Sequence, residues 1–268
     1  MPYADDSCAE KLSRFERNVT GVGVSSPGSR MVMLINDFPF MHRTRKRGDY
    51  LFHVGDNLGF IYVLNAGFAK TCQSSADGQE QTIGLHLRGD ILGLESVSSG
   101  SHRCDAVALD TCDVLALPYE AVLERSQRSP ALMRELMHAF SAEIHADRER
   151  MGSMRGLSAA GRVAAFLLDI SARFAARGFS ATQIQLRLSR QEIGSILGLE
   201  LETVSRVFSR FAQLGLLSVC LREIVLLDRD RLRDMIAQPE LPKRRRRAHR
   251  HGNPQASSDE FSRLAAGA

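Results

Sequence analysis

Two spacings of apolar residues divide the chain. From Met31 to Leu117 the apolar positions come in short runs interrupted by Gly, Asp or Asn, as in LFHVGDNLGF, IYVLNAGFAKT, QTIGLHLRGD and CDVLALP. Short runs rich in β-branched and aromatic residues, bounded by turn formers, predict many strands folded into a barrel or roll. Asp77-Gly78, between FAKTC and QTIGLHL, predicts a hairpin turn, because Gly accepts the positive φ that such turns need. Gly55-Asp56, Gly67 and Gly89-Asp90 mark further turns.

Past Pro118 the period lengthens. Met133, Met137, Phe140, Ile144, Asp147, Met151 and Met154 recur in steps of four and three, which places them on one stripe of a long helix, the pattern of a two-stranded coiled coil. The other reading is a helix packed wholly on its own domain. Asp147 argues against it, since a carboxylate on an intramolecular core face is costly to bury. In a symmetric pair Asp147 meets its own copy, which weakens association and makes it adjustable.

Residues 159–177 form an amphipathic helix ended by Gly178, suited to a left-handed cap. Ser189 then precedes RQEIGSIL, with Glu192 placed to complete a capping box. Gly198 is the turn, and residues 202–214 make a second helix. LLSVCLREIVLL reads as a hairpin wing, followed by a last helix over 230–237. Two short helices joined by a glycine turn predict a helix-turn-helix. At 3.6 residues per turn, Glu202, Ser205 and Arg206 project within about 100° of arc. Val204, Val207, Phe208 and Phe211 supply the opposite, inward surface. A recognition helix needs this division, and each polar side chain has a base partner: Arg with guanine, Glu with cytosine N4, Ser with either kind. Glu202 and Arg206 are also spaced for an intrahelical ion pair that pre-orients the Arg. Ser189, Arg190, Thr203 and Arg210 are the expected supporting DNA contacts.

Charge changes this picture little. The net charge is +4, but residues 243–268 carry seven Lys/Arg against two Asp/Glu, which leaves the rest of the chain at −1. The tail, 239–268, lacks the apolar content to fold alone. The 44% hydrophobic content and 268-residue length allow two modest cores, and no apolar run is long enough to span a bilayer. The N-terminus resembles neither a secretory nor a transit signal, so the expected location is cytoplasmic, with no membrane partner. Five scattered cysteines without a C-x-x-C pair predict no structural disulfides.

The stretch LSRQEIGSILGLELETVSRVFSRFAQLGLLSV resembles the DNA-binding motif of the Crp/Fnr family, with E-T-V-S-R at its recognition-helix core. The likeness to the Fnr branch extends over residues 45–237, through LFHVGDNLGFIYVLNAGFAKT, GLHLRGDILGLESVSSGSH, EIHADRERM and FLLDISARFAARGFS. The resemblance implies an α+β fold: an N-terminal arm (1–30), a cyclic-nucleotide-binding-like β-roll or jelly roll (31–122), a long dimerisation helix (123–155) and a C-terminal winged helix-turn-helix (156–238). It implies a homodimeric transcription regulator, acting as an activator through RNA polymerase and binding a palindrome in double-stranded DNA. Glu202, Ser205 and Arg206 fall on the base-reading positions. Leu201 replaces the Arg of cyclic-AMP receptor proteins, which favours TTGAT-type half-sites over TGTGA.

Neither cofactor known in the family is expected. Leu94 stands where the cyclic-nucleotide pocket has a ribose-binding Glu, and His102-Arg103 where it has Arg-Ser. A [4Fe-4S] cluster needs four converging thiolates; the arm has only Cys8, and Leu115 occupies the position of the fourth ligand, with Cys112 three residues earlier. Cys104 and Cys112, as neighbours across strands, and Cys220, on the wing near DNA, are read as buried, inert cysteines rather than as redox switches. No metal site is expected: His42, His53, His86 and His102 form no H-x-H pair with a spaced Glu. No catalytic constellation is visible either, so the chain is not expected to be an enzyme. Three other readings are a β-roll enzyme dependent on a metal or small molecule with an appended DNA-binding module, a repressor or regulator controlled by dimerisation, and a nonspecific nucleic-acid binder working through the KRRRR tail. The last would lose all binding with the tail, whereas a helix-turn-helix reader keeps its specificity without it.

Overall fold

The computed structural model describes residues 40–74, 78–154 and 156–237, with backbone alone for 146 and 149–154. The arm, the first part of the expected roll, the tail and the side chains of Met151 and Met154 lie outside the described residues. No described helix is long and apolar enough to cross a membrane.

Among the described residues, eight strands build the N-terminal half: β1 (Met41–Arg45), β2 (Tyr50–Phe52), β3 (Phe60–Ala66), β4 (Ala69–Ser74), β5 (Glu80–His86), β6 (Ile91–Leu92), β7 (Asp105–Ala108) and β8 (Cys112–Pro118). They pair antiparallel in two four-stranded sheets, ordered β1-β8-β3-β6 and β2-β7-β4-β5. The continuous apolar runs of β3 and β8 arise because both faces are covered. Leu64, Val114 and Ala116 face the second sheet with Phe52, Ala69 and Ala106. Ile61, Val63, Leu115 and Leu117 turn outward onto helices. The hairpin expected at Asp77-Gly78 is seen in the antiparallel pairing of β4 and β5, with Ser74 opposite Glu80 and Gly78 at φ 74°; Asp77 lies outside the described residues. Gly67 turns β3 into β4 at φ 90°, where a Cβ would lie 2.5 Å from the Thr111 carbonyl oxygen.

The helical region begins at Tyr119 and is divided. Helix α1 (Tyr119–Arg128) ends at Ser129, and α2 (Pro130–Met154) restarts there. The Ser129 hydroxyl accepts from the Leu132 amide at 3.3 Å, and Pro130 sits at the first helical position, where no amide is needed. The single helix expected over 123–155 is therefore corrected to two. Leu132, Leu136 and Ala139 of α2 are buried against β3 and β8. Met133, Met137 and Ile144 are exposed, at 38%, 53% and 51%. Phe140, placed on the same stripe from its spacing, lies half-buried beside the roll.

The C-terminal half contains α3 (Ala159–Ala175), β9 (Gln183–Gln185), α4 (Arg190–Leu197), α5 (Leu201–Gln213), β10 (Leu217–Cys220), β11 (Glu223–Leu226) and α6 (Arg229–Ala237). The wing is a three-stranded sheet, β10-β11-β9; β9 did not stand out in the sequence. Cys220, before the wing turn at Leu221, is disulfide-bonded, which corrects the expectation of no disulfides. Cys72, Cys104 and Cys112 are buried free thiols.

The two halves share a core. Leu85, Leu87 and Leu109 of the roll are buried with Val163, Leu167, Ile170, Phe174 and Ile193 of the C-terminal half. Ion pairs frame this seam: Asp90 with Arg173 (2.8 Å) and Arg177, Asp110 with Arg187 (2.8 Å), and Lys70 with Glu192 (2.8 Å).

Candidate nucleic-acid interface

Helix α4 is set by its own sequence. The Ser189 hydroxyl accepts from the Glu192 amide at 3.2 Å, and Glu192 Oε2 accepts from the Ser189 amide at 2.7 Å, which completes the expected capping box. At the other end Gly198 adopts φ 62° and the Leu199 amide donates to the Gly194 carbonyl at 2.9 Å. The chain passes so close there that a Cβ on Gly194 would press into the Leu199 carbonyl oxygen. Arg162 of α3 pins this turn by donating from Nη1 to the Leu197 carbonyl at 3.2 Å. Gly194 and Arg162 were both missed in the sequence: an intrahelical Gly and a helical Arg give no local sign of what they touch.

Helix α5 divides as expected. Val204, Val207, Phe208 and Phe211 are buried, while Glu202 and Arg206 are exposed and Ser205 is half-buried between them. Leu201, at the start of the same helix, is also exposed. The anticipated Glu202–Arg206 pair does not form; Arg206 Nη2 instead donates to Thr203 Oγ1 at 3.2 Å. At an exposed site an ion pair gains little over solvent, so the nearer hydroxyl suffices. Arg206 itself stays exposed.

The supporting residues serve mainly to hold the motif. Ser189 is occupied by its cap. The Arg190 guanidinium lies 3.4 Å from the Phe208 ring centre, joining α4 to α5, and burial lowers its pKa. Thr203 orients Arg206, and Arg210 is half-buried on the last turn of α5.

Among the described residues, the side chains at the cyclic-nucleotide positions do not match that pocket. Leu94 is buried, and His102 fills the adjoining space, stacked on Phe52 at 3.7 Å and bonded to Ser96 Oγ at 2.9 Å. A cyclic phosphate would meet an imidazole there whose pKa is lowered by burial, against the opposing pull of Glu95 and Asp56. Burial pushes the Cys72 thiol up to about 12 and raises Cys104 and Cys112 as well. Cys112 Sγ donates to the Phe68 carbonyl at 3.0 Å. Among the described residues no group of three His, Cys, Asp or Glu converges to hold a metal.

A β-roll joined by helices to a winged helix-turn-helix, with an exposed polar strip on the second helix, defines a DNA-binding transcription regulator. Comparison with known proteins places it more narrowly. Residues 161–235 match the Crp-like helix-turn-helix domain and residues 42–129 the cyclic nucleotide-binding domain. The chain is 42% identical over 186 residues to the transcriptional activator protein anr of Pseudomonas aeruginosa, covering 69% of this chain and 76% of that one. It is 36% identical to the fumarate and nitrate reduction regulatory protein of Escherichia coli K12, over 70% and 75% of the two chains. Among solved structures, FixK2 from Bradyrhizobium japonicum superposes with a TM-score of 0.68 at 29% identity, covering 74% of this chain and 98% of FixK2. The chain belongs to the Crp/Fnr family of transcription regulators, and its family is one of regulators rather than enzymes.

Proposed function

We propose that the protein is a transcriptional activator that binds, as a homodimer paired through α2, a palindrome of TTGAT-type half-sites, reading bases with Glu202, Ser205 and Arg206 and contacting RNA polymerase. The observation that carries this reading is the division of α5: a buried apolar face seats the helix, and the exposed strip carries one acid, one hydroxyl and one guanidinium. The exposed Met133, Met137 and Ile144 support pairing, since burying each such side chain contributes about 1.5–3 kcal/mol. The activating role rests on the names of the relatives, and cytoplasmic action follows from the proposed partners.

Binding of wild type and Arg206→Ala to duplexes with matched and singly altered half-sites tests the assignment. Loss of a bidentate guanine contact should cost roughly 1–3 kcal/mol on the matched site and relax preference at that guanine alone. Equal affinities on all duplexes for both proteins would refute it.

A further inference from the structure

Resting on the DNA-reading role of α5, we infer that Lys70, a β-roll residue on β4, is a positioning residue for DNA recognition that seats the helix-turn-helix on the β4–β5 hairpin. Its side chain is 10% exposed and its ammonium donates to Glu80 at 2.5 Å and to Glu192 at 2.8 Å. Glu80 belongs to the same hairpin; Glu192 belongs to α4. Three residues further along α4, on the same face, Ser195 donates to the Thr82 carbonyl of β5 at 3.2 Å. The outer face of α4 is thus bonded to both strands of one hairpin.

From α4 the constraint passes rigidly to the reading strip. Arg190 lies over Phe208, and the Gly194–Leu199 approach fixes the turn between the helices. With α4 seated, Glu202 and Arg206 still face solvent, so the docked arrangement leaves the strip open to a duplex.

Glu192 uses different oxygens for its two tasks. Oε2 completes the capping box and Oε1 meets Lys70. Removing the lysine charge therefore leaves the cap intact and disturbs the seating, with an uncompensated carboxylate left at the seam. Glu192→Gln separates the same tasks from the other side, because Gln also serves in a capping box.

The test uses the full chain and a duplex with two TTGAT-type half-sites, at a temperature where melting curves show every variant folded. Lys70→Met should weaken matched-site binding on the order of tenfold, the size of an ordinary intersite coupling. Glu192→Gln should weaken it too, by less, and the double variant should be no worse than Lys70→Met, since Glu192→Gln removes only a charge pair that Lys70→Met already removes. Amide exchange should quicken in α4 and β5 of the free variants but not in β3 or β8. If Lys70→Met does not fold, Glu192→Gln, with its cap retained, carries the comparison. Unchanged or tighter binding by the variants, or additive losses, would overturn the inference while a discriminating wild type upholds the DNA-reading role. A wild type without preference for the matched duplex would overturn both.

Discussion

Gly194 illustrates how a single residue acts through what approaches it. In an unconstrained helix, replacing Gly by Ala stabilises by about 1 kcal/mol. Here the added Cβ would strike the Leu199 backbone oxygen, a group held by the turn rather than the end of a flexible side chain. Overpacking of this kind costs roughly 1–3 kcal/mol, which outweighs the propensity gain. Gly194→Ala is accordingly expected to lower the urea midpoint, and a stabilised variant would show that the helix-turn-helix has more room than its geometry indicates. At this scale, features that depend on near neighbours in the chain were legible beforehand. The Ser189–Glu192 cap, the left-handed Gly198 and the inward set of α5 all follow from spacing within one or two turns. Gly194 did not, because its constraint lies in the path of the next segment. The Glu202–Arg206 pair was permitted by spacing, yet a hydroxyl one turn away competed for the same guanidinium.

Among the elements, α2 shows what a periodic pattern can and cannot determine. The stripe predicted an exposed apolar face, and Met133, Met137 and Ile144 present one. Periodicity gives the angular position of residues but not which neighbouring face meets the chain's own domain. Phe140 lies at that margin and leans on the roll. The same limit hid β9, a strand too short to show alternation, and the break at Ser129, where a capping Ser and a following Pro are each compatible with a continuing chain. If α2 pairs with a second copy, Ile144→Glu should dissociate it, because a carboxylate would replace buried apolar surface. Asp147→Ala should tighten it by removing like-charge proximity across the symmetry axis. Sedimentation equilibrium measures both, and identical association constants for wild type and the two variants would show that this face of α2 is not the contact.

For the whole molecule, the decisive interactions join residues far apart in sequence: 83 positions separate Asp90 from Arg173, and 122 separate Lys70 from Glu192. No local pattern encodes such pairs, which is why the two domains were legible separately but their seam was not. Its charges also set its pH range. Burial would raise the Asp90 pKa, but Arg173, Arg177, His86 and the Leu87 amide together hold it below its ordinary 3.8. Glu192 is likewise held below 4.5, where Lys70 and the Ser189 cap outweigh burial. A carboxylate with a depressed folded pKa stabilises above its ordinary value and loses that contribution as pH falls through the folded one. Burial pulls Lys70 down, yet bonds to Glu192 and Glu80 raise it above 10.5, so its contribution persists until pH rises through that higher value. The Asp90 and Glu192 contributions to the seam should therefore weaken at acid pH, as each carboxylate is protonated. Asp90→Asn isolates the larger charge cluster. Removing one member of a largely buried ion pair costs about 3 kcal/mol, so at pH 7 the variant should unfold at lower urea than wild type. As pH falls from 3.8 through the lower folded value, the wild-type Asp90 becomes neutral too, and the gap between the two midpoints should close. A gap that does not narrow as pH is lowered below 3.8 would mean that shape, not the Asp90 charge, holds the roll to the DNA-binding half.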